Sequence, residues 1–127
     1  MPLLDFQRDR PIYLQIADEI GRRIIRGALP PGAQLPSVRE LAAELRVNPN
    51  TVQRAYQELE REGVVFTLRG QGTFVKEDPA MVAGLRARAA REAARRFWRE
   101  ARALGLSPAE AVALVVDMGH SEGEGDG

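Results

Sequence analysis

Apolar residues along this chain follow a helical period, then briefly a strand period, then a helical period again. Ile12, Ile16, Ile20 and Ile24 recur every four residues, which predicts a helix with one buried stripe. Pro11 suits its first turn, and Gly27 closes it. The stretch "LPPGAQLP" that follows cannot be helical. Ser37 with Glu40 three residues on has the spacing of a capping box, and Val38, Leu41, Ala42 and Leu45 form the apolar face of the short helix behind it. Arg46 and Val47 make a tight connection. Asn48 then caps a third helix with Pro49 at its first position, and Val52, Ala55, Tyr56 and Leu59 stand at i, i+3, i+4 and i+7. Gly63 closes that helix.

The period changes in "VVFTLRGQGTFVK", which is rich in β-branched and aromatic residues around a Gly-containing turn. It predicts a hairpin with strands near 64–68 and 73–76 and a tip at Arg69 to Gly72. Asp78-Pro79 starts another helix, with Val82, Leu85, Ala89, Ala93, Phe97, Ala101 and Leu104 on one face. Its length is about 27 residues, roughly 40 Å at the helical rise. Gly105 suits its C-terminal cap, and Ser107-Pro108 with Glu110 opens a last helix. The expected class is mainly α with a small β-hairpin: a winged helix-turn-helix over residues 1–77, a two-helix dimerisation region over 78–118, and a disordered acidic tail over 119–127.

Composition narrows the chemistry. The 127 residues carry no net charge, no Cys and a single His, His120 near the C-terminus. Disulfides and thiolate chemistry are excluded, no metal site is expected, and no cofactor is called for. No run of about 18 apolar residues suggests a membrane span, and "MPLLDFQRDRP" does not resemble a secretory signal, so a cytoplasmic protein with no membrane partner is expected. Charge is unevenly placed. Residues 1–78 hold 11 basic and 11 acidic groups, whereas residues 79–118 hold 7 Arg against 4 acids.

The third helix carries the clearest functional signal. In "VNPNTVQRAYQELEREG" the first eight residues contain one charge, Arg54, and no acid, while Glu58, Glu60 and Glu62 cluster behind. Carboxylates are repelled by DNA phosphates, and a recognition helix enters the major groove with its N-terminal residues at the bases. That end needs short hydrogen-bonding side chains and a free helix N-terminus for phosphate. Asn48 serves as a cap and a second-rank base reader. Asn50, Gln53 and Arg54 face away from the packing side, and Thr51 is small enough to touch a phosphate or a thymine methyl. Gln53 is the better adenine reader, since its amide can bond that base in two places. Arg54 either reaches DNA or pairs with Glu58 at i+4. Arg39, beside Val38, points outward for a phosphate or a guanine edge, and Ser37 adds a helix N-terminus. Arg69, with Gly70, Gln71 and Thr73, is placed to carry a wing into the minor groove.

The stretch "LPPGAQLPSVRELAAELRVNPNTVQRAYQELEREGVVFTLRGQGTFV" closely resembles the DNA-binding domain of the GntR family of bacterial transcription regulators. The resemblance runs from about Pro11 to Lys76 and rests on "LPSVRELA", the third-helix pattern and "GQGTFV" at the family's spacing. The short two-helix C-terminus is similar to the YtrA-like subfamily. The resemblance implies DNA contacts from Arg39, from Asn48, Asn50, Thr51 and Gln53, and from Arg69 and Gly70. It also implies a homodimer on an inverted-repeat, double-stranded operator, acting as a repressor. A small-molecule effector is left open by the sequence. An isolated two-helix tail has little core of its own, so Val82, Leu85, Phe97, Trp98, Leu104, Val112, Val115 and Val116 are expected to form an interchain core.

Other classes fare worse. An enzyme lacks a base near Ser37, Ser107 or Ser121, and Gly70-Gln71-Gly72 is too short for a phosphate loop and does not precede a helix. A winged helix that binds only protein or RNA is the remaining alternative, and salt dependence distinguishes it from a DNA reader.

Overall fold

The computed structural model describes residue 6 and residues 9–125. Five helices and one hairpin follow in order: α1 (Ile12–Ile25), α2 (Val38–Leu45), α3 (Pro49–Arg61), β1 (Val65–Leu68), β2 (Gly72–Val75), α4 (Pro79–Ala103) and α5 (Pro108–Gly125). The chain divides into two compact units, Met1–Arg86 and Ala87–Gly127.

The first unit is a three-helix scaffold with a wing. Ile16, Ile20 and Ile24 of α1, Leu41 and Leu45 of α2, and Val52, Ala55 and Leu59 of α3 are buried in one cluster, closed by Val64, Val65 and Val75 of the hairpin. Ile12, expected in the same stripe, is exposed. A four-residue repeat advances 40° per step on a helix of 3.6 residues per turn, so the stripe drifts off the core at the helix end. Pro11 is the N-cap of α1 rather than its first residue. Arg23 of α1 is buried and reaches both Glu19 in its own helix (3.1 Å) and Glu44 of α2 (2.6 Å). Burial opposes its charge, but the bonds to Glu44 and Glu19 outweigh that and raise its pKa.

The hairpin is antiparallel, with Val65 opposite Val75 and Leu68 opposite Gly72. The non-helical loop before α2 lies along the free edge of β2. Leu35 donates to Thr73 O (2.8 Å) and Val75 donates to Ala33 O (2.9 Å). The wing is thereby tied to the entrance of the helix-turn-helix, a pairing that no local sequence signal announces. The turn between α2 and α3 places Arg46 in the left-handed region (φ 57°).

The expected division at residue 78 falls earlier than the observed one. Met81, Val82 and Leu85, in the first turns of α4, pack against the core of the first unit. A side chain at Gly21 of α1 would meet Leu85 at 3.8 Å. Val82 and Leu85, expected in an interchain core, therefore also have an intrachain partner. In the second unit Ala101 and Ala111 are the buried residues among those described. Ser107 and Glu110 form a second capping box at the start of α5. That helix runs on to Gly125, across most of the stretch expected to be disordered. Extending an existing helix needs no new nucleus, and residues 119–123, all exposed, do so. Residues 126–127 of the expected tail lie outside the described residues.

Candidate nucleic-acid interface

Three separate stretches of the first unit carry the polar candidates, and Ser37, Gln53, Gly70, Gln71 and Thr73 among them line one cleft. At the start of α2, Ser37 Oγ accepts the Glu40 N–H (3.1 Å) and Glu40 accepts the Ser37 N–H (3.0 Å). These bonds from Ser37 hold the Glu40 carboxyl below the usual carboxylate range. The amides of Val38 and Arg39 have no partner among the described residues. The Arg39 side chain is exposed. Tyr56 of α3 donates its hydroxyl to Pro36 O (2.7 Å), pinning the entry of α2 to the recognition helix. Burial raises the Tyr56 pKa, so the phenol stays a donor.

At the start of α3, Asn48 Oδ1 accepts the Asn50 N–H (2.8 Å), and Asn48 O accepts those of Thr51 (2.9 Å) and Val52 (3.4 Å). Pro49 has no N–H to offer. The expected free helix N-terminus is thus absent at α3, because its own cap consumes the amides. The unused amides are those of α2. What α3 offers is side chains: Asn50, Gln53 and Arg54 are exposed and Thr51 is half-buried, while Val52, Ala55, Tyr56 and Leu59 face the core.

The acids behind this end are engaged elsewhere. Glu58 holds Arg61 (Nε to Oε2, 3.1 Å), and this bond raises the Arg61 pKa. Glu60 accepts the N–H of Thr67 in β1 (3.0 Å), bracing the wing against α3. With Glu58 taken, the alternative Arg54–Glu58 pair is not made, and the Arg54 guanidinium lies 4.0 Å from the centre of the Tyr13 ring in α1.

The wing loop is Arg69–Gly70–Gln71, closed by the Gln71 N–H on Leu68 O (2.9 Å). Arg69, Gly70 and Gln71 are exposed. Thr73 is half-buried, with its hydroxyl 3.1 Å from that of Thr67 across the hairpin. Gln34 is a residue that sequence reasoning missed: its Nε2 donates to Gln71 O (3.0 Å) and holds the tip. Gly72, at φ 127°, sits so close that a Cβ there would come within 2.4 Å of Gln34 Nε2. Neither role has a local signal, because the loop containing Gln34 has no periodicity.

Ser37, Gln53, Gln57, Glu60, Thr67 and Gly70 line a cleft of about 420 Å³ between the wing and α3. The residues expected in an interchain core form no part of this surface. In the second unit Phe97, Leu104, Val112, Val115 and Val116 are exposed, and Trp98 is half-buried. No group of three or more potential metal-ligating side chains occurs among the described residues, and no helix there is long and apolar enough to cross a membrane.

Comparison with known proteins adds to this geometry. Residues 12–75 match the family described as bacterial regulatory proteins, gntR family. The HTH-type transcriptional regulator YhcF of Bacillus subtilis is 50% identical over 105 residues, 83% of this chain and 87% of that protein. The HTH-type transcriptional repressor YtrA of the same organism is 49% identical over 75 residues, 59% of this chain and 58% of that one. Among solved structures, a GntR family transcriptional regulator from Listeria monocytogenes superposes with a TM-score of 0.79 at 38% identity, covering 88% of this chain and 98% of that chain.

Proposed function

The chain belongs to the gntR family of bacterial regulatory proteins and is a DNA-binding transcription regulator; from that premise we propose that it acts as a homodimeric repressor on an inverted-repeat operator. The observation that supports this reading is the cleft that Ser37 of α2, Gln53 of α3 and Gly70 and Gln71 of the wing line together, with Arg39, Asn50 and Arg69 exposed and Glu58 and Glu60 already bonded. In this mechanism α3 lies in the major groove. Gln53 bonds an adenine edge, and Arg39 reads a guanine edge or clamps a phosphate. The open amides of α2 beside Ser37 meet a backbone phosphate. Arg69 and Gly70 carry the wing to the minor groove, where negative potential is concentrated. Gln71 and Thr73 flank it.

The second unit gives the dimer its rationale. Two buried alanines make no core, while Leu104 is 80% exposed and Val112 62% exposed. A second copy covering Phe97, Leu104, Val112, Val115 and Val116 removes that apolar surface from water. Two recognition helices then address half-sites about 34–36 Å apart. Repression follows by occupancy of the operator, in line with the repressor named among the relatives. An effector, where one acts, would work by altering the spacing of the two reading helices.

Selection of bound sequences from random duplex DNA tests this reading. A palindromic consensus with half-sites one helical turn apart is the expected result, and an asymmetric single half-site or no enrichment overturns it. On the selected duplex, Arg39→Ala weakens binding by about 1–3 kcal/mol if Arg39 reads a base edge.

A further inference from the structure

Arg54 is the single cation in the first three turns of α3, one turn behind Asn50. Its guanidinium has no carboxylate partner among the described residues, since Glu58 is held by Arg61. Instead its Cζ lies over the ring of Tyr13, a half-buried residue in the first turn of α1 that the sequence alone leaves without a role. A guanidinium lying over a ring spends its π face on the contact. Its N–H groups lie in its own plane and keep their edge open for a bidentate acceptor. The ring also restricts a long side chain that would otherwise lose rotamer freedom on binding. The result is a cation oriented before its partner arrives, on the exposed face of α3 beside Asn50 and Gln53.

We propose that Tyr13 is a positioning residue for DNA binding: it holds Arg54 so that the guanidinium edge meets a backbone phosphate bordering the groove that α3 enters. A phosphate is the indicated acceptor because the guanidinium lies over Tyr13 of α1, whereas Gln53 and not Arg54 lines the wing cleft. This inference rests on the reading of α3 as the helix that enters the groove.

The test is a set of anisotropy titrations of a selected duplex and a scrambled duplex over a range of salt concentrations. Arg54→Gln lowers affinity for both duplexes by the same factor, about tenfold, and reduces the slope of log affinity against log salt by about one. Tyr13→Leu, which keeps apolar bulk and removes the ring, costs roughly two- to fivefold. Tyr13→Phe, which keeps the ring, restores wild-type affinity. In the Arg54→Gln background Tyr13→Leu adds nothing. An equal cost of Tyr13→Leu with and without Arg54, or an unchanged salt slope in Arg54→Gln, overturns the proposal. A readout independent of variant stability is the Arg54 Hδ resonance in the wild-type protein. Upfield displacement by the Tyr13 ring current is expected, and random-coil shifts count against the arrangement. Gln53→Ala in the same titrations separates the two readings. If it narrows the preference for the selected duplex, α3 reads DNA and a null at Tyr13 concerns Tyr13 alone. If it changes nothing, the recognition-helix reading fails, and the Tyr13 proposal with it.

Discussion

Single residues in this protein carry structural duties beside the contacts proposed for them. Ser37 caps α2 beside amides with no partner among the described residues, which the proposed function gives to a phosphate; Asn48 closes the first turn of α3 and consumes its amides. Glu40 completes the capping box, and the bonds from Ser37 depress its folded-state pKa. The unfolded chain titrates this carboxyl near the ordinary value of about 4.3. Its stabilisation is therefore complete above that pH and is lost as the pH falls through the lower folded value. Thermal melts of wild type and Glu40→Gln across pH check this. The wild type should be the more stable at neutral pH, with the difference closing below about pH 4. A difference independent of pH would mean that the charge plays no part. At this scale the capping spacings could be read directly from the chain, because a cap and its partner are three residues apart and need no tertiary fold to meet.

Among the elements, the wing shows how far position depends on distant chain. Richness in β-branched and aromatic residues around a Gly-containing turn predicts the hairpin, and its observed strands lie within a residue or so of the expected ones. Its attachment was not legible: loop residues 32–35 pair with β2, and Gln34 holds the carbonyl of Gln71. Gly72→Ala tests this coupling. The positive φ and the collision with Gln34 should together cost about 1–3 kcal/mol in urea unfolding. In a Gln34→Ala background the collision is gone and the cost should shrink without vanishing, since the backbone strain remains. Equal costs in both backgrounds would show that Gln34 does not crowd Gly72.

For the whole molecule, the chain makes one well-filled unit and one that is nearly coreless. The helical stripe Val82 to Leu104 looked continuous in sequence, yet it is shared between different tasks. Val82 and Leu85 pack on the first unit, whereas Phe97 and Leu104 remain exposed. Under the proposed dimer, Val112→Asp places a charge in the shared apolar surface. It should raise the dimer dissociation constant about thirtyfold or more, the equivalent of about 2 kcal/mol. Sedimentation equilibrium measures this directly, and an unchanged dimer would remove Val112 from the interface. Operator affinity should fall in parallel because one half-site alone anchors a monomer weakly.

By itself the sequence determined where the helices start, the hairpin and the acid-poor front of the third helix, since these follow from periodicity, capping and charge within a few neighbouring residues; it did not place the end of α5. It also carried the family resemblance, which the match over residues 12–75 bears out. Only the tertiary structure decided which apolar residues of α4 already have a partner, how Gln34 steadies the wing, and that Arg54 rests on Tyr13 rather than pairing with Glu58. Each of these joins residues far apart in the chain. Their contact depends on how helices and strands pack, and a one-dimensional pattern does not encode that distance.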